Sequence, residues 1–353
     1  MEGTKSTDRY SAFLVSCPGI YLDSGSGTGG LVCCRNGRTT EIDRLDCTGL
    51  TKFNNTVYRA IRAPRLVVGY DLRGTCYSLR LPDRPDVRDI HDIYVDGDRI
   101  ICVSTGTNSL YWYDHLGHCT DVWQADGKGD AWHLNSLCWG GDNLYVSAFG
   151  EFSSHNEWKE RGFAEQGFVL NWHSGKKEIE GLTGPHHPKA IDGDLYVCDS
   201  LKYSVVRKTA TGERSELQLN GFTRGMAWDE QFFYIGESAN RHADNSDISH
   251  VAIVDRATWE IVARIQIPFP EIYEIVVISE QMAGNIETNP ERYSLEVNSA
   301  AADNLVEQLQ ATASQLRTAE RKLKQLQTTP LIDVVSARIK GRIRRSLKLN
   351  RPQ

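Results

Sequence analysis

Tyr70-Asp71-Leu72-Arg73-Gly74-Thr75-Cys76 recurs as Tyr113-Asp114-His115-Leu116-Gly117-His118-Cys119, with four of seven residues identical at an offset of 43. The offset runs without gaps back through Thr48 and His91. A fixed period of about 40 residues is the signature of a repeat fold. The unit reads as an apolar strand, a tight polar turn such as Asp96-Gly97 or Asp192-Gly193, a second strand, a loop, a third strand, a Gly-bearing turn and a fourth strand. Third strands recur at 31–34, 66–68, 110–113, 168–170, 205–207 and 251–254, which makes six blades.

First strands begin near Thr48, His91, Asn135, His187 and Arg224, which is one too few. Residues 274–278 supply the sixth. The N-terminal run 11–17 resembles a second strand, so both ends of the repeat region are expected to meet in one blade and lock the ring. Closure of this kind leaves only short, protected strand edges. The expected fold is an all-β six-bladed β-propeller over residues 1–279.

The composition agrees. With 353 residues, 40% hydrophobic and 24% charged, most of the chain can bury a core. A net charge of −6 argues against general electrostatic binding to nucleic acid. Residues 296–353 hold 11 Lys and Arg against 5 Asp and Glu, a net +6, whereas residues 1–295 hold 29 against 41, a net −12. The nine cysteines (17, 33, 34, 47, 76, 102, 119, 138 and 198) are odd in number and lie mostly in apolar runs. No Cys-x-x-Cys occurs, so they read as reduced core thiols of a cytoplasmic protein. The opening residues do not read as a signal peptide, and nowhere do 18 apolar residues run together.

After the propeller, residues 280–301 are polar and aperiodic and read as a linker. A heptad follows over 302–329, with Ala302, Leu309, Leu316 and Leu323 at one core position and Leu305, Thr312, Ala319 and Leu326 at the other. Over 330–353, Ile332, Val335, Ile339, Ile343 and Leu347 form a stripe among seven Lys and Arg. That pattern is a basic amphipathic helix, suited to an anionic membrane surface or to packing on the protein itself. The expected partners are a second copy through the coiled coil and a peripheral anionic membrane.

Inner strands of a propeller start at one face with their first residues toward the channel. Thr48, His91, Asn135, His187, Arg224 and Glu274 fall there, with His133 and His186 just outside the strands. Three long loops, 18–29, 149–166 and 238–249, open on the same face and carry Glu151, His155, Asn240 and Arg241. Long loops over a polar mouth are the usual form of a ligand site. His91, His133, Asn135, His187 and Glu274 could hold a divalent metal, zinc on the imidazoles or calcium on the oxygens. Alternatively, each imidazole bonds a backbone carbonyl or a channel water. Without a metal, His91, His187 and Glu274 could serve as acid and base with Arg224 stabilising an anion. Asn135, Glu151, His155, Asn240 and Arg241 would bind the ligand. Gly25, Gly27 and Gly30 satisfy a dinucleotide-type spacing but precede a strand, and no G-x-S-x-G, H-E-x-x-H or Walker sequence appears.

Through HLNSLCWGGDNLYVSAFGEF (133–152), GPHHPKAIDGDLYVCDS (184–200), FTRGMAWDEQFFYIGESANR (222–241) and PFPEIYEIVVI (268–278), the chain resembles a bacterial family of conserved hypothetical propeller proteins, some fused to tetratricopeptide repeats. The resemblance spans residues 10–279 and implies a propeller without an established activity. More distantly the blades resemble those of gluconolactonase and senescence-marker-type lactonases, which hold calcium with Glu and Asn side chains. Asn135 and Glu274 match these in type, and His91 and His187 do not. The amidating lyase propeller, with zinc on three His, is similar only in what His91, His133 and His187 could supply. Two functions follow as expectations. The first is an enzyme acting on a small polar, anionic metabolite or sugar derivative at the channel mouth. The second is a non-catalytic scaffold that binds a protein or glycan and is located by its tail.

Overall fold

The computed structural model describes residues 10–19, 29–62, 64–82, 86–239 and 248–295. The coiled coil and basic helix expected over 302–353, and with them the oligomer and membrane contacts, lie outside these residues, as do Asn240 and Arg241. Six four-stranded antiparallel sheets are present. In blade 3, for example, the inner strand Ile90–Asp96 is followed by Arg99–Ser104, Ser109–Asp114 and Cys119–Gln124. The inner strands of blades 1 to 6 are Glu274–Val277, Cys47–Phe53, Ile90–Asp96, Leu134–Gly140, Pro185–Ile191 and Phe222–Trp228. All six expected third strands fall where the repeat placed them.

Strand composition follows position in the blade. The second strand of blade 3 is almost wholly buried, since it packs against a blade on each side, whereas its outermost strand is mostly exposed. The hairpins between first and second strands are tight. Asp192 and Gly193 both adopt positive φ, at 52° and 87°, a conformation that Asp and Gly tolerate and that matches strand twist.

Blade 1 closes the ring as expected. Phe13 pairs with Val277, Leu14 with Val276, Val15 with Ile275 and Ser16 with Glu274, antiparallel. Apolar side chains fill the junctions between successive blades. At the closure, Phe13, Val15 and Val32 of blade 1 meet Phe232, Tyr234 and Val251 of blade 6.

Where the inner strands crowd the channel, side chains cap the carbonyls at the strand starts. Thr48 Oγ1 donates to Ile90 O at 2.8 Å and Asn135 Nδ2 to Pro185 O at 3.2 Å. Ser200 Oγ donates to Thr223 O at 2.6 Å, Ser238 Oγ to Ile272 O at 3.2 Å, Ser16 Oγ to Thr48 O, and Thr105 Oγ1 to Leu134 O. Each bond crosses from one blade to the next, so buried carbonyls that sheet pairing leaves open are satisfied.

The linker expectation for 280–301 is corrected over its first part. Ser279 caps a helix, Glu280–Thr288, by accepting from Met282 N. Met282, Ala283 and Ile286, with Tyr293 beyond the helix, join the core between blades 1 and 2. Arg35 clamps the outer face through Glu280 and Glu287, each at 2.8 Å. Tyr293 Oη and Asn285 Nδ2 both donate to Leu72 O. The compact unit therefore runs past residue 279. Among the described residues no helix is long and apolar enough to cross a membrane.

Truncation checks this architecture. A chain ending at residue 295 is expected to unfold cooperatively. Ending at 279 removes Met282, Ile286 and Tyr293 and uncovers the core they pack on, at about 1.5–3 kcal/mol for each large apolar side chain, and lowers Tm. Ending at 270 removes the inner strand of blade 1 and should give aggregate. Thermal unfolding and light scattering of the three chains distinguish these outcomes.

Candidate functional site in the channel

The inner strands are not regular. In five of them the register against the second strand shifts, between Cys47 and Leu50, Ile90 and Asp92, Leu134 and Leu137, His186 and Lys189, and Arg224 and Met226. A bulge frees backbone N–H groups and re-aims the side chains that follow it. His187 and Gly225 sit at two of these bulges with φ of 49° and 73°.

Side chains from other blades take up the freed N–H groups. Leu137 N donates to Asp92 Oδ2 at 3.0 Å, Met226 N to Glu274 Oε1 at 3.1 Å, and Gly225 N to His187 Nδ1 at 3.1 Å. Asp92 Oδ1 also accepts from Ile93 N, and Glu274 Oε1 from Ile275 N, each at 2.9 Å. Lys189 Nζ lies 2.8 Å from Glu274 Oε2, and His187 Nε2 lies 3.6 Å from the same oxygen. Asp92 and Glu274, both buried, and the half-buried Lys189, from blades 3, 1 and 5, thus share one floor.

Above that floor is a cavity of about 500 Å³. Leu50, Ile93, Leu137, Met226 and Ile275 form its walls, and Lys52, Tyr94, Trp139 and Trp228 stand toward its mouth. The mouth residues sit near the ends of inner strands, so the cavity opens beside the short turns. The expected site lay on the opposite, long-loop face. On the long-loop side, insertion 149–166 folds inward as an aromatic plug of Phe149, Phe152, Trp158 and Phe163.

Electrostatics set the floor apart. Burial pushes the Asp92 carboxyl up to about 8, with the Glu274 charge adding to the rise and Lys189 opposing it. Burial also raises Glu274, against the charge and hydrogen bond of Lys189. For Lys189, burial favours the neutral amine, but Glu274 and Asp92 outweigh it and hold the pKa above the usual lysine range. The floor therefore favours a protonated Asp92 beside a Lys189 cation.

The expected site residues divide. Glu274 belongs to the floor and His187 stands directly behind it. His91 donates through Nδ1 to Asp89 O at 3.2 Å, and burial takes its pKa down to about 4 despite Asp89 nearby. His133 Nδ1 meets both oxygens of Asp130 at 2.9 Å, and its ring centroid lies 4.3 Å from those of Phe149 and Trp158. Asn135 is spent on the carbonyls of His133 and Pro185 through Nδ2. Arg224, expected to bind an anion, is buried in an ion pair with Glu271 and lies over the Tyr273 ring. Glu151 pairs with Lys177 at the surface, and His155 accepts from Asp130 N within the plug. Thr48 is a junction residue, as described above.

The proposed metal set does not assemble. Among the described residues no group of three or more His, Cys, Asp or Glu is arranged to hold a metal ion. His187 Nδ1 is already an acceptor for Gly225 N–H, and the Lys189 ammonium takes the position beside Glu274 that a cation would need. Asp92 and Lys189 were missed by sequence reasoning. Their signal was present: an Asp inside the apolar run of Ile90–Asp96, and a Lys two residues after a buried His-His pair.

The family described as Domain of unknown function (DUF4915) matches residues 85–286. The chain belongs to the DUF4915 family. The matched span holds Asp92, Lys189 and Glu274, and the expectation of a propeller family of unknown function stands at that level. No curated protein matches this DUF4915 chain. Among solved structures, a chain of a nidogen/laminin complex is 12% identical with a TM-score of 0.55, covering 75% of this chain and 98% of that one. A protein of unknown function from Bacteroides caccae is 10% identical at 0.53, covering 77% and 100%. A candidate 6-phosphogluconolactonase from Bacteroides fragilis is 13% identical at 0.50, covering 77% and 98%. At such identities the likeness is one of fold.

The raised Asp92 pKa has a thermodynamic consequence. A carboxyl raised in the folded state contributes stability fully below its unfolded pKa, and that contribution is lost as pH rises through the folded value. Tm should therefore fall from about pH 4, where the unfolded carboxyl ionises, to about pH 8, where Asp92 titrates in the folded protein, and level off above that. Asp92→Asn should flatten that slope, although it lowers Tm overall by spoiling one of the two N–H contacts. A pH series of melting curves for both proteins is the check.

Proposed function

We propose that this DUF4915 propeller is an enzyme that uses acid–base chemistry on a small polar metabolite or sugar derivative, bound in the channel half beside the short turns. The observation that carries the reading is the Asp92–Lys189–Glu274 floor beneath a cavity of ligand size. Two carboxyls and an amine gathered under apolar walls are costly to bury, and titrating groups perturbed by burial and a specific charge partner in a cleft make a candidate functional site.

The roles follow from protonation. With its pKa raised by burial, Asp92 would hold a proton and donate it to a ligand oxygen. Lys189 remains a cation, so its part is to stabilise developing negative charge rather than to attack as a free amine. Glu274 anchors Lys189 and accepts backbone N–H groups, which holds the ammonium in place. No step runs through a metal, because the donor set does not suit one. Arg224 is committed to Glu271, so an anionic group on the ligand would meet Lys189 or Lys52 instead.

The test is a panel of neutral sugars, sugar acids and their lactones, followed by ligand-induced Tm shifts and turnover. A ligand found this way should lose affinity with Lys189→Met and Trp228→Ala. Turnover should drop about 10²–10⁴-fold with Asp92→Asn. Glu151→Ala, on the other face, should change neither. Turnover unaffected by Asp92→Asn and Lys189→Met would overturn the proposal.

A further inference from the structure

We infer that the plugged half of the channel encloses a water site bounded by Asn135, His186, His187 and Tyr273. The starting observation is a set of buried polar atoms without a hydrogen-bond partner among the described residues: Asn135 Oδ1, His186 Nε2, His187 Nε2 and Tyr273 Oη. They are neighbours. The Tyr273 ring lies edge-on to His187 at 4.9 Å and to His186 at 6.4 Å between centroids, and Asn135 bonds Pro185 O, directly before His186. All four residues are buried.

Their partners fix what each atom offers. His186 Nδ1 is 2.9 Å from Gly184 O, which can only accept, so Nδ1 carries the proton and Nε2 presents a lone pair. His187 is the reverse. Its Nδ1 accepts from Gly225 N–H, so the neutral ring carries its proton on Nε2. Asn135 spends its amide hydrogens on two carbonyls and is left with Oδ1 as an acceptor. The Tyr273 hydroxyl can do either.

The site therefore presents one fixed N–H donor, two fixed acceptors and one hydroxyl. An anion would face the two lone pairs. A metal cation would face the His187 N–H and the Arg224 guanidinium, which lies 5.2 Å from the Tyr273 ring centroid. Water meets both demands, since it donates and accepts and needs two to four polar partners when buried. The 3.6 Å between His187 Nε2 and Glu274 Oε2 is too long for a direct hydrogen bond, so the Nε2–H is left for the water. His187 is thus a positioning residue: with Nδ1 occupied and Nε2 protonated, it has no lone pair with which to act as a base.

The experiment is imidazole ¹H–¹⁵N correlation spectroscopy on the intact protein, with and without a molar excess of zinc or calcium chloride, joined to a Tyr273→Phe melting curve. The expected result is adjacent histidines in opposite tautomers, Nδ1–H for His186 and Nε2–H for His187, unmoved by either metal. Tyr273→Phe should lower Tm by about 2–4 °C, as loss of a water partner costs on the order of 1 kcal/mol. An Nδ1–H tautomer for His187, or signals that shift in proportion to added metal, would overturn the inference in favour of a metal centre. A rise in Tm for Tyr273→Phe would overturn it in favour of a dry, unsatisfied hydroxyl.

Discussion

The antiparallel pairing of Phe13–Cys17 with Glu274–Val277 is the contact on which the remainder depends. It joins segments some 260 residues apart in the chain, Ser16 to Glu274, and converts an open array of sheets into a ring. An open array would leave two strand edges and the apolar junction between blades 1 and 6 uncovered. The same strand supplies Glu274 to the channel. Closure and site are therefore one structural event: the carboxylate that accepts from Met226 N and pairs with Lys189 is in place only when the ring is shut.

The two halves of the channel have different chemistry for a common reason. Bulges in five inner strands release N–H groups toward the axis, and each must be met by an acceptor. On the long-loop side, histidines and Asn135 are consumed by backbone carbonyls and Asp130, and the aromatic insertion covers them. Burial there takes the pKa of His186 and His187 well below the usual histidine range, with Arg224 and Lys189 respectively adding to the drop. On the short-turn side, the acceptors are the carboxyl groups of Asp92 and Glu274, Lys189 pairs with Glu274, and the same groups face an open cavity. One half is thus suited to rigid packing and the other to chemistry.

Much of this was legible in the chain. The 43-residue repeat located the third strands, and the odd strand count identified 274–278 as the closing segment. Two residues of the open cavity were missed through a single physical effect. Strand alternation points His91 and His187 at the channel, where they line its plugged half, but an extra residue at each bulge reverses the parity that follows and brings Asp92 and Lys189 to the open cavity as well. Nothing in strand periodicity reveals a bulge in advance. The helix Glu280–Thr288 was missed because three core contacts, Met282, Ala283 and Ile286, make too narrow a stripe to stand out among polar neighbours.

The central claim is that burial in the closed ring, with the neighbouring Glu274 charge, raises the Asp92 carboxyl far above the ordinary aspartate range even though Lys189 opposes it. Carboxyl ¹³C chemical shifts, followed by NMR across a pH titration and assigned by the loss of one signal in Asp92→Asn, address it directly. The account predicts an Asp92 carboxyl with a midpoint near 8. A midpoint near the ordinary aspartate value of about 4 would contradict it.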